Sequence, residues 1–174
     1  EKYGAQQVKY VSRATKLAIR QITASGLRDG VSPAEQSKAI RQIVGMLPQH
    51  AQAVLNYRNQ LIKSGTDEAL AGRLTDKYRK KLLKWRADTI GLTESHTAAN
   101  EGLRQANRGA VERGILKPSE YEQEWLTAAD KRRCDRCAGM QGKRASLPDG
   151  TFSGDGAGPI LHPRCRCTTI IVRK

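Results

Sequence analysis

The chain has 174 residues, enough for one ordinary domain or for one small domain with an appended arm. With one Phe, two Trp and five Tyr, its composition excludes a large aromatic core. Lys and Arg outnumber Asp and Glu by 31 to 17, which gives a net charge of +14. This excess favours a polyanionic partner such as nucleic acid, an anionic membrane surface or an acidic protein, and the alternative is a merely solvated basic surface.

The first part of the chain has the apolar spacing of amphipathic helices. Between residues 5 and 25, apolar side chains recur at three- and four-residue steps, and Gly26 is a predicted stop. Residues 32–35, Ser-Pro-Ala-Glu, predict a helix start, because serine can cap, proline suits the first turn and glutamate can bond back to the cap. Pro48 is predicted to end this helix, and a third helix is predicted over residues 49–64.

A fourth helix is predicted from Thr66, with an apolar stripe narrow enough to suit packing against one partner helix. Six of the ten residues in segment 77–86 are basic. We interpret them as a surface for salt-sensitive, sequence-independent phosphate contact, and the alternative is a solvated face whose lysine stems cover apolar surface. The candidate nucleic-acid contacts of this helix are Lys77, Arg79, Lys80, Lys81, Lys84 and Arg86.

Helix is predicted to continue or restart up to Gly114, with a kink or joint at Gly91. Glu94 and His96 invite catalytic roles, but a capping or buried carboxylate and an ordinary histidine are the simpler interpretations. Residues 121–127 and the β-branched residues 168–172 predict two strands. We expect the strands to pair, with the cysteine loops at one end.

Four cysteines and one histidine form two clusters in the last quarter of the chain. A structural zinc site needs four nitrogen or sulfur ligands, and a two-residue spacer lets two thiolates of one turn face one ion. The segment between the clusters is rich in glycine and proline, so a bound ion is predicted to hold it together. We predict Cys134 and Cys137 as ligands, with two or three of His162, Cys165 and Cys167.

Two disulfides or free thiols are the alternatives to zinc. No secretory signal or transmembrane run is visible in the sequence, so nothing in it indicates an oxidising compartment. Arginines also interleave with the ligands, and they either contact phosphates or pair with Asp130, Asp135 and Asp149. The candidate nucleic-acid contacts of this region are Arg136, Arg164 and Arg166.

A succession of motifs in the second half resembles a known family. It consists of Thr93-Glu94, the segment Trp125 to Asp130 ahead of Cys134-x-x-Cys137, then Gly142, Phe152 and the block His-Pro-Arg-Cys-Arg-Cys at 162–167. Over residues 89–172 this succession resembles the Mu F-like phage head-morphogenesis domain. Leu92 departs from the family pattern, in which an arginine is expected before Thr93.

The resemblance implies a non-enzymatic minor head protein of a tailed phage, present in few copies at the portal or the inner capsid. It implies a role in head assembly or in the fate of packaged DNA. The implied partners are the portal protein, the major capsid protein and double-stranded DNA read without sequence preference, with no membrane. The implied location is the virion, and the host cytoplasm during assembly.

These observations predict an α+β, mainly α protein. A helical arm at residues 1–88 would dock a partner, and a module at residues 89–174 would carry a short β-hairpin and a structural zinc ion. The rival functions are a zinc-containing nucleic-acid-binding regulator and a metal-dependent nuclease. The nuclease is disfavoured because only His50, His96 and His162 are present, and thiolates would close the coordination that hydrolysis needs open.

Overall fold

The computed structural model describes residues 11–153 and 158–174. The chain divides into two compact units, Glu1–Leu92 and Thr93–Lys174. It is mainly helical with one small antiparallel sheet, which confirms the predicted fold class. The separate roles predicted for residues 1–88 and 89–174 stay predictions. None of the helices in the described ranges combines the length and apolar character needed to cross a membrane.

Helices dominate the first unit, and the strands found in residues 11–153 and 158–174 all lie in the second. The helices are α1 (Arg13–Arg28), α2 (Pro33–Ile43), α3 (Pro48–Lys63), α4 (Glu68–Glu112) and the short α5 (Asp135–Ala138). The strands are β1 (Tyr121–Leu126), β2 (Arg144–Ser146) and β3 (Thr168–Arg173).

The predicted capping box at the start of α2 is present. The Glu35 amide donates to the Ser32 hydroxyl at 3.3 Å, and the Glu35 carboxylate accepts from the Ser32 amide at 3.3 Å. Pro48 does not end this helix, because α2 already stops at Ile43, and Pro48 instead opens α3. Proline suits that position because the first helical amide needs no partner.

Helix α1 ends later than predicted. Its predicted part before residue 11 lies outside the described residues. Gly26 is buried inside the helix, where an added Cβ would lie 2.6 Å from the Gln36 side chain. The stop is made by Gly30, at φ +68°, next to a Val31 amide that donates to the Gly26 carbonyl at 2.7 Å. Gly26 is therefore a packing residue.

Helix α4 runs through Gly91 without a break, so the predicted joint is absent. Gly91 is buried, and an added Cβ would lie 3.3 Å from the Ser37 Cα and closer still to the Ser37 hydroxyl. The glycine thus allows α2 to approach α4. The buried core of the first unit is built from Ile19, Ile40, Val44, Ala87 and Ile90.

The sheet of the second unit has the order β2-β1-β3, with both pairs antiparallel. The predicted pairing of the two long strands is confirmed, with Gln123 opposite Ile171 and Trp125 opposite Thr169. Strand β2 was not predicted, because its Arg-Ala-Ser sequence contains no β-branched or aromatic residue. Cross-strand ion pairs support it, since Arg144 donates to Glu122 at 2.8 Å and to Glu124 at 3.0 Å.

Gly91→Ala is expected to lower the free energy of unfolding by about 1–2 kcal/mol. Overpacking against Ser37 costs about 1–3 kcal/mol, and the higher helix propensity of alanine returns at most about 1 kcal/mol. Gly72→Ala is the matched control, because Gly72 lies in the same helix with no atom near its would-be Cβ. Urea unfolding should show it unchanged or about 0.5–1 kcal/mol more stable. Equal shifts in both variants would contradict the packing role.

Candidate metal centre

The two ligand clusters, far apart in sequence, come together in the second unit. The His162 Nε2 lies 3.3 Å from the Cys134 Sγ and 3.1 Å from the Cys137 Sγ, and the Cys137 Sγ lies 3.8 Å from the Cys165 Sγ. Two groups of three ligand atoms result, and the second contains Cys137, Cys165 and Cys167. Cys137 belongs to both groups, so it is the centre of the cluster.

The first cluster is shaped by the start of α5. Cys134 is the N-cap of this helix, and its sulfur accepts from the Cys137 amide at 3.4 Å. The carbonyl of Cys134 accepts from the Ala138 amide at 2.9 Å. One helical turn therefore brings both sulfurs to the same side, with Cys134 exposed and Cys137 buried.

The second cluster is shaped by a tight turn over residues 162–165. The Cys165 amide donates to the His162 carbonyl at 3.0 Å, with Pro163 and Arg164 at the two central positions. Arg164 has φ +63°, a left-handed conformation that costs a non-glycine residue about 1–2 kcal/mol. The Thr93 hydroxyl accepts from the Arg164 amide at 3.0 Å and so helps to hold this strained turn.

The histidine is presented in the form that a metal ion requires. Its Nδ1 lies 2.8 Å from the Pro163 carbonyl oxygen, which can only accept, so the proton resides on Nδ1. In the neutral ring Nε2 is then the nitrogen with the free lone pair, and it is the one that lies beside the two sulfurs of the first cluster. A backbone carbonyl that fixes the tautomer in this way is a common companion of a ligating histidine.

The spacing of the ligand atoms fits a tetrahedral ion better than a disulfide. With Zn–S near 2.3 Å and Zn–N near 2.0 Å, neighbouring ligand atoms around one zinc lie roughly 3.5–3.8 Å apart. A disulfide needs about 2.0 Å, and all four cysteines, which lie in the described residues, are free. A cavity of about 20 Å³, roughly the space of one water molecule, is lined by Cys134, Cys137, His162 and Cys167 among other residues.

A buried donor beside the cluster also fits a bound cation. Burial raises the pKa of the Cys137 and Cys167 thiols, and at Cys167 the neighbouring Trp125 indole offsets part of that rise. The Trp125 Nε1 is fully buried and has no regular hydrogen-bond partner among the described residues. A thiolate at Cys167, charge-balanced by an ion, would be the acceptor that this N–H lacks.

Helix α4 supports the second cluster through one of its faces. Thr93 binds the Arg164 amide, and the Asn100 side chain donates to the Cys167 carbonyl at 3.2 Å. His96 lies on the same helix, and burial followed by the charge of Arg166 lowers its pKa. These residues are three, four and seven apart, which places them on one helical face. His96 therefore belongs to the surroundings of the cluster.

Asp130 holds the backbone between Cys165 and Cys167. Both of its carboxylate oxygens accept from the Arg166 guanidinium, at 2.5 and 2.7 Å, and it also accepts from the Arg132 amide at 2.9 Å. Arg166, then Arg132, keep the pKa of Asp130 well below its usual range, so it stays ionised across the neutral range. The sequence analysis named Asp130 as a possible partner of the arginines, but it did not predict which arginine Asp130 would bind. Asp149 instead pairs with Arg108 at 2.8 Å.

The candidate nucleic-acid contacts have different surroundings. Arg166 is paired with Asp130, Arg136 donates to the Leu161 carbonyl at 3.1 Å, and Arg164 is exposed. In the first unit Arg86 is buried, with 2% of its surface exposed, and donates to the Gly45 carbonyl. The other five residues of the basic run are exposed: Lys77, Arg79, Lys80, Lys81 and Lys84.

Cys137→Ser is expected to reduce the zinc content from about one ion per chain to near zero, because this sulfur lies in both ligand groups. Elemental analysis of the purified chain measures the zinc content. Met140→Leu is the control, because Met140 lies in the same buried cluster and a volume-conserving change costs less than about 1.5 kcal/mol. A wild-type chain without metal would contradict the zinc site, and a Cys137→Ser variant with full metal would remove Cys137 from the ligand set.

Asp130→Asn is expected to weaken zinc affinity about tenfold, because Arg166 then loses its anchor between two candidate ligands. Asp149→Asn is the matched control, since it also removes a carboxylate that binds an arginine through two oxygens, but away from the cluster. Competition with a chromophoric chelator measures both affinities. Equal affinities in the two variants would remove Asp130 from the support of the site.

Comparison with known proteins places the chain in a family. The family model described as Phage Mu protein F like protein matches residues 59–170, starting in α3 and thus earlier than the resemblance implied. No curated protein and no solved structure matches the chain. The matched segment is more than half of the chain and contains all five candidate ligands. The chain therefore belongs to the Phage Mu protein F-like family of phage head-morphogenesis proteins.

Proposed function

We propose that this chain is a minor structural component of the phage head, associated with the portal or the capsid interior. Its Cys/His cluster holds one structural zinc ion, and its basic helix contacts packaged double-stranded DNA. In this proposal the protein acts in head assembly and in the handling of the genome. It works in the virion after assembly in the host cytoplasm.

The closed, sulfur-rich ligand set carries the proposal of a structural ion. Four thiols and one imidazole are more ligands than a tetrahedral zinc needs, and in this proposal four of them close the coordination and leave no position for a water nucleophile. The available bases do not complete a hydrolytic site either: His162 is used by the cluster, and His96 lies on α4 near the charge of Arg166. Zinc bound here would cross-link the segments 134–137 and 162–167.

The basic run of α4 supports the proposed contact with DNA. Lys77, Lys80 and Lys81 are exposed and have no acidic partner within ion-pair distance among the described residues. Arg79 pairs with Asp76 at 3.3 Å, and Lys84 pairs with Asp88 at 2.5 Å. Exposed pairs of this kind contribute little energy and exchange readily for phosphate. The three free lysines are therefore the proposed centre of the contact.

Exposed apolar side chains in the first unit support docking to another head protein. Leu55 and Ile62, seven residues apart on α3, are 55% and 45% exposed, and Leu70 of α4 is 41% exposed. Side chains seven apart share one helical face, so α3 presents an apolar stripe to a helical partner. We propose the portal protein as this partner and the major capsid protein as the second candidate.

Replacement of Lys77, Lys80 and Lys81 by glutamate is expected to weaken DNA binding by at least about tenfold at moderate salt. Each lysine–phosphate interaction that is removed should also reduce the slope of log affinity against log salt by about 0.9. Fluorescence anisotropy with a duplex of mixed sequence, repeated across a salt series, measures both quantities. A second duplex of unrelated sequence should bind equally well.

The matched control replaces Arg13, Lys16 and Arg20, exposed residues of α1, by glutamate. Both variants change the net charge equally, so a surface-specific contact predicts a smaller reduction of affinity in the control. Equal reductions would attribute binding to net charge alone. A strong preference for one duplex would instead favour the zinc-containing regulator.

A further inference from the structure

Strand β3 is an edge of the sheet, and the direction of its backbone groups follows from the register. The Trp125 amide donates to the Lys143 carbonyl at 2.8 Å, and the Trp125 carbonyl accepts from the Gly142 amide at 2.9 Å. The backbone N–H and C=O groups of residues 123 and 125 thus point towards β2, and those of the even-numbered residues of β1 point towards β3. The Lys174 amide, which donates to the Glu120 carbonyl, follows the same pattern.

The backbone of β3 alternates in the same way. Thr168, Ile170 and Val172 lie opposite even-numbered residues of β1 and bond to them. Thr169, Ile171 and Arg173 therefore direct their N–H and C=O groups at the open edge. No fourth strand follows β3 within the described part of the sheet.

The sequence of this edge lacks the usual protection against pairing. Five consecutive β-branched residues, 168–172, form it, without proline, bulge or charge before Arg173. Ile170 and Leu126 lie on the same outer face of the sheet, where they are 39% and 38% exposed. Six residues at about 3.4 Å each give an edge about 20 Å long.

We propose that β3 pairs antiparallel with β3 of a second copy of this chain, around a twofold axis at Ile171. In this register Ile171 exchanges both hydrogen bonds with the partner's Ile171, and Thr169 does so with the partner's Arg173. Every open backbone group thereby gains a partner, since all three open residues pair with open residues.

The side chains suit the same register. Ile170 lies opposite the partner's Val172 on the outer face, which forms two equivalent apolar pairs across the axis. Thr168 lies opposite the partner's Lys174, so no like charges oppose each other despite the basic end of the strand. Because β3 is complementary to an antiparallel copy of itself, we propose a second copy of this chain as the partner strand.

The pairing is expected to be weak in dilute solution. An edge of six residues buries less than the roughly 1,000 Å² that a stable interface usually requires. The dimer should therefore form only at high protein concentration. A high local concentration would arise where copies gather in an assembling particle.

Ile170→Lys tests the pairing without disturbing the fold, because the new lysine lies opposite Glu124 of the same chain. It should weaken dimerisation about tenfold or more, since it removes both apolar pairs across the axis. Leu126→Lys is the matched control, with nearly the same exposure on the same face but on the central strand. Sedimentation velocity over a concentration series measures both dissociation constants.

Amide hydrogen exchange supplies the residue-level test. The amides of Thr169, Ile171 and Arg173 should become protected as concentration rises, whereas those of Ile170 and Val172 should be protected throughout. A chain that stays monomeric to millimolar concentration overturns the proposal, as do equal effects of the two lysine variants. Protection of the odd-numbered amides that appears only when another head protein is added also overturns it, because the edge would then serve a different chain.

Discussion

The convergence of two short ligand clusters on Cys137 is the constraint on which the second unit depends. In the described residues between Cys134 and Cys167, the regular structure is one helical turn and a three-residue strand. The apolar core of this unit is small, with Trp125 and Phe152 in edge-to-face contact at 5.2 Å as its two largest members. Cys137, Cys165 and Cys167 are part of that same core, so ligand positions and packing cannot be separated. An ion at this point would cross-link the loops where they also pack.

Neutral backbone contacts and one ion pair help to hold the candidate ligands in place. The α4 face with Thr93 and Asn100 fixes the second cluster through its main chain, and Asp130 fixes it through Arg166. Such support would lower the entropy cost of ion binding, because contacts within the chain help to hold the strained turn at Arg164. Within this core, the Trp125 N–H is a buried donor beside Cys167, and a thiolate there would satisfy it. Both features suit the cation-bound thiolate state that we propose.

Features that depend on a few neighbouring residues could be predicted from the sequence. Features that depend on contacts between distant segments could not. The capping box at Ser32 and the β-branched run of β3 act over a few residues, so their effects were predictable. Gly26 and Gly91 were mistaken for a stop and a joint because their role is to admit Gln36 and Ser37 from α2, which no local pattern reveals. The ligand residues were recognisable from spacing, whereas the pairing of Asp130 with Arg166 depends on the folded loops.

The arginines and lysines of this chain divide by chemistry in a way that a count of charges conceals. Arg86 and Arg136 each donate to a backbone carbonyl, and Arg166 donates to both carboxylate oxygens of Asp130, which suits the planar guanidinium. Lys77, Lys80 and Lys81 remain on the exposed side of α4. Long-range attraction of a polyanion depends on the total charge of +14, but close contact depends on groups without an internal partner. The lysine face is therefore the part of this surface best suited to meet phosphates, while the arginines of the cluster mainly maintain its shape.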